Sequence, residues 1–139
     1  MQWPMPVAGL RAFGALTHQF RYEISRNNAQ PDMVGKKLTD VPRTIWSAGL
    51  DYRRGDWSGL LVARHVGHVF PSGDDLNRDV VEGVFGAYDR HTVVSARVGW
   101  SFHRQWRATL ALDNLFDRDY FVSTRQPGRT VYAELAYRF

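Results

Sequence analysis

The sequence predicts an all-β fold: an antiparallel sheet of about six meandering strands forming part of a transmembrane β-barrel. Three observations predict it. Several segments near nine to eleven residues long alternate apolar and polar side chains with period two, the spacing of a strand with two unlike faces. Short and long connections alternate between them. The chain ends on an aromatic residue, Phe139, flush with its last strand. Soluble domains commonly finish loosely, whereas the last strand of an outer-membrane barrel faces lipid on one side and a polar interior on the other.

In the first strand Ala8, Leu10, Ala12, Gly14 and Leu16 alternate with Gly9, Arg11 and Thr17. In the second, Thr44, Trp46, Ala48, Leu50 and Tyr52 alternate with Ser47, Gly49, Asp51 and Arg53, and Arg54-Gly55-Asp56 supplies a tight turn. The third spans 57–70, where the run Leu60-Leu61-Val62-Ala63 is apolar on both sides and leaves its faces unassigned. The fourth, over 92–102, sets Val94, Ala96, Val98, Trp100 and Phe102 against Ser95, Arg97, Gly99 and Ser101. Arg104-Gln105 then turns the chain into the fifth, 106–114, where Ala108, Leu110 and Leu112 oppose Arg107, Thr109 and Asp113. The last places Val131, Ala133, Leu135, Tyr137 and Phe139 on one face and Tyr132, Glu134, Ala136 and Arg138 on the other.

Residues 21–42, 71–90 and 117–128 form long connections rich in Gly, Pro, Asn and Asp. Several loops of that length are unexpected in a compact soluble sheet, but outer-membrane barrels pair short periplasmic turns with long external loops. Both tight turns are therefore expected on the periplasmic side and all three long loops outside.

Composition excludes several classes. No run of eighteen apolar residues exists, so no transmembrane helix is encoded. An aromatic content of 14%, with five Trp and six Tyr, suits barrel interfaces. The start lacks the basic and apolar regions of a secretory signal, and zero Cys removes disulfides and thiol chemistry. A net charge of +4 permits nucleic-acid binding, but Arg97, Arg107 and Arg138 lie near Asp113 and Glu134 instead of forming a one-sign stripe, so no nucleic acid is expected.

The segment Leu112-Asp113-Asn114-Leu115-Phe116-Asp117-Arg118-Asp119-Tyr120, followed by Pro127-Gly128-Arg129 and ending at Tyr137-Arg138-Phe139, resembles the C-terminal end of TonB-dependent outer-membrane receptors. Upstream, Gly35-Lys36-Lys37-Leu38 with Val41-Pro42, then Gly49-Leu50-Asp51-Tyr52, and Tyr88 extend the resemblance over most of the chain. It implies that residues 1–139 are the C-terminal part of such a receptor barrel, with plug domain and signal peptide absent, in the outer membrane of a Gram-negative bacterium. The implied function is uptake of a ferric siderophore or similar scarce nutrient. The implied partners are outer-membrane lipid, the remainder of the barrel and plug, the TonB complex, and the assembly machinery that would read Tyr137 and Phe139. Ligand capture would fall to loops at 22–39, 72–88 and 120–126, with no ligand-binding residue assigned. No cofactor and no enzymatic activity are implied.

A family barrel has about 22 strands around its plug. An open six-stranded sheet would leave roughly ten backbone groups facing hydrocarbon at several kcal/mol each, so the chain is expected to be a fragment that does not transport alone. The alternative is a small soluble β-sheet protein that binds a ligand or partner and transports nothing.

Individual residues carry further expectations. Asn114 and Asp117 are placed to bond local backbone where strand gives way to loop, and Pro127-Gly128 to supply a turn. Leu115, Phe116, Tyr120 and Phe121 are expected in an interfacial aromatic girdle. Arg97, Arg107, Asp113, Glu134 and Arg138 are expected to form a charge-balanced lumen wall, with Arg97 close to Asp113, or else to meet a plug or an anionic ligand. His65 and His68, three apart, point to opposite faces of a strand and do not suit joint metal ligation. Asp75, Asn77 and Asp79 open like a calcium loop, yet Gly86 stands where a Glu would close it. Asp117 and Asp119 lack a reactive companion, and no nucleophile or phosphate-loop motif is present.

Overall fold

A computed structural model describes residues 2–71, 77 and 81–139. Its sheet strands are β1 (Gln2–Pro4), β2 (Leu10–His18), β3 (Thr44–Arg54), β4 (Trp57–Val66), β5 (His91–His103) and β6 (Trp106–Asp113). The remaining strands are a short hairpin, β7 (Phe121–Val122) with β8 (Thr124–Arg125), and the terminal strand β9 (Thr130–Tyr137). Seven strands form one sheet in the order β1-β2-β3-β4-β5-β6-β9, every neighbouring pair antiparallel.

The expected all-β meander is what forms, with additions. The sheet gains β1, too short to register as a period-two pattern, which pairs Trp3 with Ala12 beside β2. The last long loop contains the β7–β8 hairpin. The third expected strand stops at Val66, and Gly67 beyond it still donates its N–H to the carbonyl of Thr44 directly opposite.

Turn chemistry explains the short connections. Gly55, the first of the two residues between Arg54 and Trp57, has φ +57°, the backbone that a two-residue type II′ hairpin needs and glycine adopts without strain. Neither Arg104 nor Gln105 has positive φ, and the β5–β6 ladder accommodates that turn with an irregularity between Trp100 and His103.

Register fixes the faces. Trp46, Ala48, Leu50 and Tyr52 lie opposite His65, Ala63, Leu61 and Gly59, and the rows continue to Thr92, Val94, Ala96 and Val98. They run on to Leu112 and Leu110 on β6, then Val131 and Ala133 on β9. That face is apolar and uncovered: Leu61, Val98, Leu110 and Leu135 are all exposed. The other face carries Arg11, Asp51, Ser58, Arg97, Thr109 and Glu134 around a concavity of about 810 Å³. Among the described residues the buried hydrophobic side chains are Tyr22, Val69 and Ala87, all outside the sheet strands, so no continuous apolar core covers either face. Membrane lipid is the solvent such a face is suited to.

Candidate functional site

Each end of the sheet is built differently. At the short-turn end of the apolar face, aromatic rings follow one another across four strands: Trp57 stacks on Trp100 at 5.4 Å, and Phe102, Trp106, Tyr137 and Phe139 continue the run. Towards the long-loop end Trp46 stacks on His65 at 5.4 Å, while His65 Nδ1 bonds Thr92 and His18 Nδ1 bonds Thr44, each at 2.9 Å. From Trp57 to His65 is about 27 Å along the strand at 3.4 Å per residue, or about 20 Å across a bilayer after a tilt near 40°. That is close to the ~25 Å apolar band of a barrel with an aromatic girdle at each interface.

The residues of the motif after β6 converge. Asn114, 4% exposed and at φ +50°, donates from Nδ2 to the carbonyls of Arg118 and Pro127, while its Oδ1 accepts from the Arg118 N–H. Asp117 Oδ1 accepts from the Arg129 N–H at 2.7 Å and lies so near Gly128 that a Cβ there would stand 2.7 Å away. One amide and one carboxylate thus close the loop onto Pro127-Gly128-Arg129, thirteen residues from Asn114 to Pro127. At the exposed loop apex, Asp119 grips Arg125 with two bonds of 2.9 and 3.0 Å and raises its pKa.

Tyr120 departs from the expected girdle. Its ring stacks on His91 at 4.2 Å and lines an inner-face pocket, because the chain folds inward here so that Asp89 can accept the Phe121 N–H. Leu115 is partly covered and Phe116 exposed, and the ring contacts at this end of the outer face are those of Trp46 with His65 and His18 with Phe20.

Asp89 gave no signal in the sequence, yet it joins two loops. Its Oδ1 accepts from Gly83 N–H and its Oδ2 from Phe121 N–H, both at 2.8 Å, and it is buried. Around it Tyr88 bridges Val122, and Ser123 N–H reaches the Ala87 carbonyl. The loop after β2 folds on itself through the Glu23–Lys37 bridge, and Asn77 ties it to the loop after β4 by bonding the Lys37 backbone. Asp75 and Asp79 lie outside the described residues, so the calcium-loop pattern is left as a sequence feature.

On the polar face Arg97 does not pair with Asp113. It lies opposite Ala111, and its Nη2 is 3.8 Å from Glu134 on β9. The reason is steric: Ala111 and Thr109 are small, and two long side chains can span the roughly 10 Å of two strand spacings across them. Arg107 reaches over Gly99 to donate to Ser58 Oγ at 3.0 Å. Asp113 and Arg138 are exposed at the β6 and β9 ends, and Arg138 donates its backbone N–H to Gln105. The closer pairing on this face is at Asp51, which takes Arg11 at 3.0 Å and Arg53 at 3.2 Å. Its signal was available, since Arg11 and Asp51 sit directly opposite once the β2–β3 register is known.

An open antiparallel meander with an apolar face between two ring-rich rims, a charged inner face and every long loop at one end is the wall of an outer-membrane barrel. Comparison with known proteins agrees: the family model "TonB dependent receptor-like, beta-barrel" matches residues 2–115, and the chain belongs to that family, in the outer membrane of a Gram-negative cell. The ferric citrate transporter FecA in unliganded form superposes with a TM-score of 0.73 at 23% identity, over 94% of this chain and 21% of that one. A ferric enterobactin receptor mutant, R480A, from Pseudomonas aeruginosa superposes at 0.67 and 20% identity, over 98% and 21%. The copper transporter OprC superposes at 0.68 and 19% identity, over 99% and 23%. The chain thus spans about a fifth of the length of these structures. No curated protein sequence matches it.

Proposed function

We propose that this chain is the C-terminal barrel portion of a TonB-dependent transporter that takes up a ferric siderophore or a similar scarce nutrient. The observation that carries this reading is the two-faced open sheet of a chain in the receptor-barrel family. The outer edge of β9 presents about eight outward N–H and C=O groups, at several kcal/mol each in hydrocarbon, which favours pairing with further barrel strands. In that assembly the chain contributes its wall to the lumen and its folded loops to the outer vestibule, while the plug and the TonB complex supply gating and energy. Tyr137 and Phe139 serve the assembly machinery as the C-terminal signal, and Asn114, Asp117 and Gly128 shape the last loop.

Complementation tests the reading. A strain lacking its own receptor, grown on chelated iron, should stay unrescued by the 139-residue chain alone and be rescued when the chain is joined to a plug and the earlier strands. Rescue by the chain alone, or its recovery as a folded monomer without detergent, would overturn the assignment.

A further inference from the structure

The inner face of β4 departs from what a barrel lumen calls for. Lumen-facing positions are ordinarily polar, yet Leu60, Val62 and Val66 project inward with Arg64 among them, and Val93 continues the patch on β5. This apolar patch is roofed. Tyr88, Tyr120 and Val122 from the two loops pinned by Asp89, together with buried Val69, close over it and leave a pocket of about 460 Å³. Wall and roof both come from this chain, and the volume is in the range of small-molecule sites.

We propose that this pocket binds a ligand, or the arm of a larger ligand, that carries one anionic group on an apolar body. The inference rests on the reading of this face as the barrel interior. Arg64 is the one cationic side chain among the described residues that line the pocket, and no carboxylate among the described residues lies within ion-pairing distance of it. Its guanidinium is therefore available to an anionic oxygen, with charge-assisted and potentially bidentate hydrogen bonds. Five valines and the rings of Tyr88, His91 and Tyr120 make up most of the remaining lining, with Ser95 beside them, and burial against them favours an aromatic or branched body. A compact polyanion fits poorly, since the other charged group in the lining is the Asp89 carboxylate, already committed to two backbone N–H groups.

The test uses the chain joined to the plug and the earlier strands, as in the complementation, in phospholipid nanodiscs with ¹³C-methyl valine, titrated with salicylate, its neutral counterpart salicylamide, and citrate. Salicylate should shift the methyls of Val62, Val66 and Val93 while leaving outer-face Val98 and Val131 unmoved, which separates the pocket from partition into lipid. It should bind at least about tenfold more tightly than salicylamide, the ratio expected for one charge-assisted contact. Arg64→Gln should bring that ratio to within about twofold, Arg64→Lys, which keeps the charge without the two-pronged geometry, should leave a ratio between the two, and Val98 and Val131 should report the unchanged fold. Equal binding of salicylate and salicylamide by the native chain, an unchanged ratio in Arg64→Gln, or citrate matching salicylate would each overturn the proposal. The readout is independent of uptake: failed complementation with a retained salicylate preference counts against the transport reading alone. Successful complementation without that preference counts against the pocket alone.

Discussion

Leu60 and Leu61 are adjacent on β4, the same residue type and almost equally exposed at 38% and 41%, yet they meet different media. Leu61 sits in the row Leu50-Leu61-Ala96-Leu112, midway between Trp57 and His65. Leu60 sits in the row Asp51-Leu60-Arg97 on the charged face. Solvent exposure alone does not separate them; neighbours do. For a sheet with lipid on one side and water on the other, the row a residue joins decides what a substitution costs.

The largest difference should come from charge. Leu61→Arg places a guanidinium near the bilayer midplane and should destabilise the inserted sheet by about 2–4 kcal/mol, whereas Leu60→Arg should change stability by less than about 0.5 kcal/mol. Denaturant unfolding of the chain assembled with the rest of its barrel in phospholipid vesicles, followed by Trp fluorescence, measures both. Equal penalties would mean that the faces are wrongly assigned.

Two glycines sharpen the contrast at smaller amplitude. Gly59 faces outward, and a Cβ there would meet Tyr52 Cβ at an ordinary 3.7 Å. Gly99 faces inward, and a Cβ there would stand 2.6 Å from Ser58 Oγ and 2.9 Å from Arg107 Nη2. Gly59→Ala should therefore stabilise by about 0.5 kcal/mol through reduced chain entropy. Gly99→Ala should displace Arg107 from Ser58 and destabilise by about 0.5–1 kcal/mol, the loss of one hydrogen bond partly offset by that same entropy gain. The same vesicle assay reads the sign of each change, and a shared sign would show that the inner face lacks the close packing assigned to it.

What could be read from the sequence follows the range of the interactions. Alternation survives in the primary structure because period two is a local property, so Val94 to Phe102 and Val131 to Tyr137 fall on their expected faces. Asn114 and Asp117 were legible for the same reason, since they bond backbone a few residues away or across one loop. The faces of β4 were not legible, because its inner side is apolar where a lumen strand is ordinarily polar, and only pairing with Asp51 and Arg97 reveals which leucine looks inward. Asp89 and the inward turn of Tyr120 escaped because they depend on one loop meeting another 32 residues away. The approach of Arg97 to Glu134 was not legible because a two-strand reach depends on the small residues between, which a pairwise pattern does not contain.

The smallest effect belongs to the charged face itself. Arg97 and Glu134 approach to 3.8 Å with side chains 55% and 64% exposed, so water screens most of their attraction. A double-mutant cycle with Arg97→Gln and Glu134→Gln should give a coupling below about 0.5 kcal/mol. At 1 M salt, where the Debye length is about 3 Å, it should vanish. Asp51 behaves differently. Its carboxylate is more covered and bonded at 3.0 and 3.2 Å to two guanidinium groups, so Asp51→Asn should cost about 1 kcal/mol and keep part of that cost at high salt. A coupling at Arg97–Glu134 as large as the Asp51 effect would mean that this stretch of the inner face is desolvated, covered by something denser than water in the lumen.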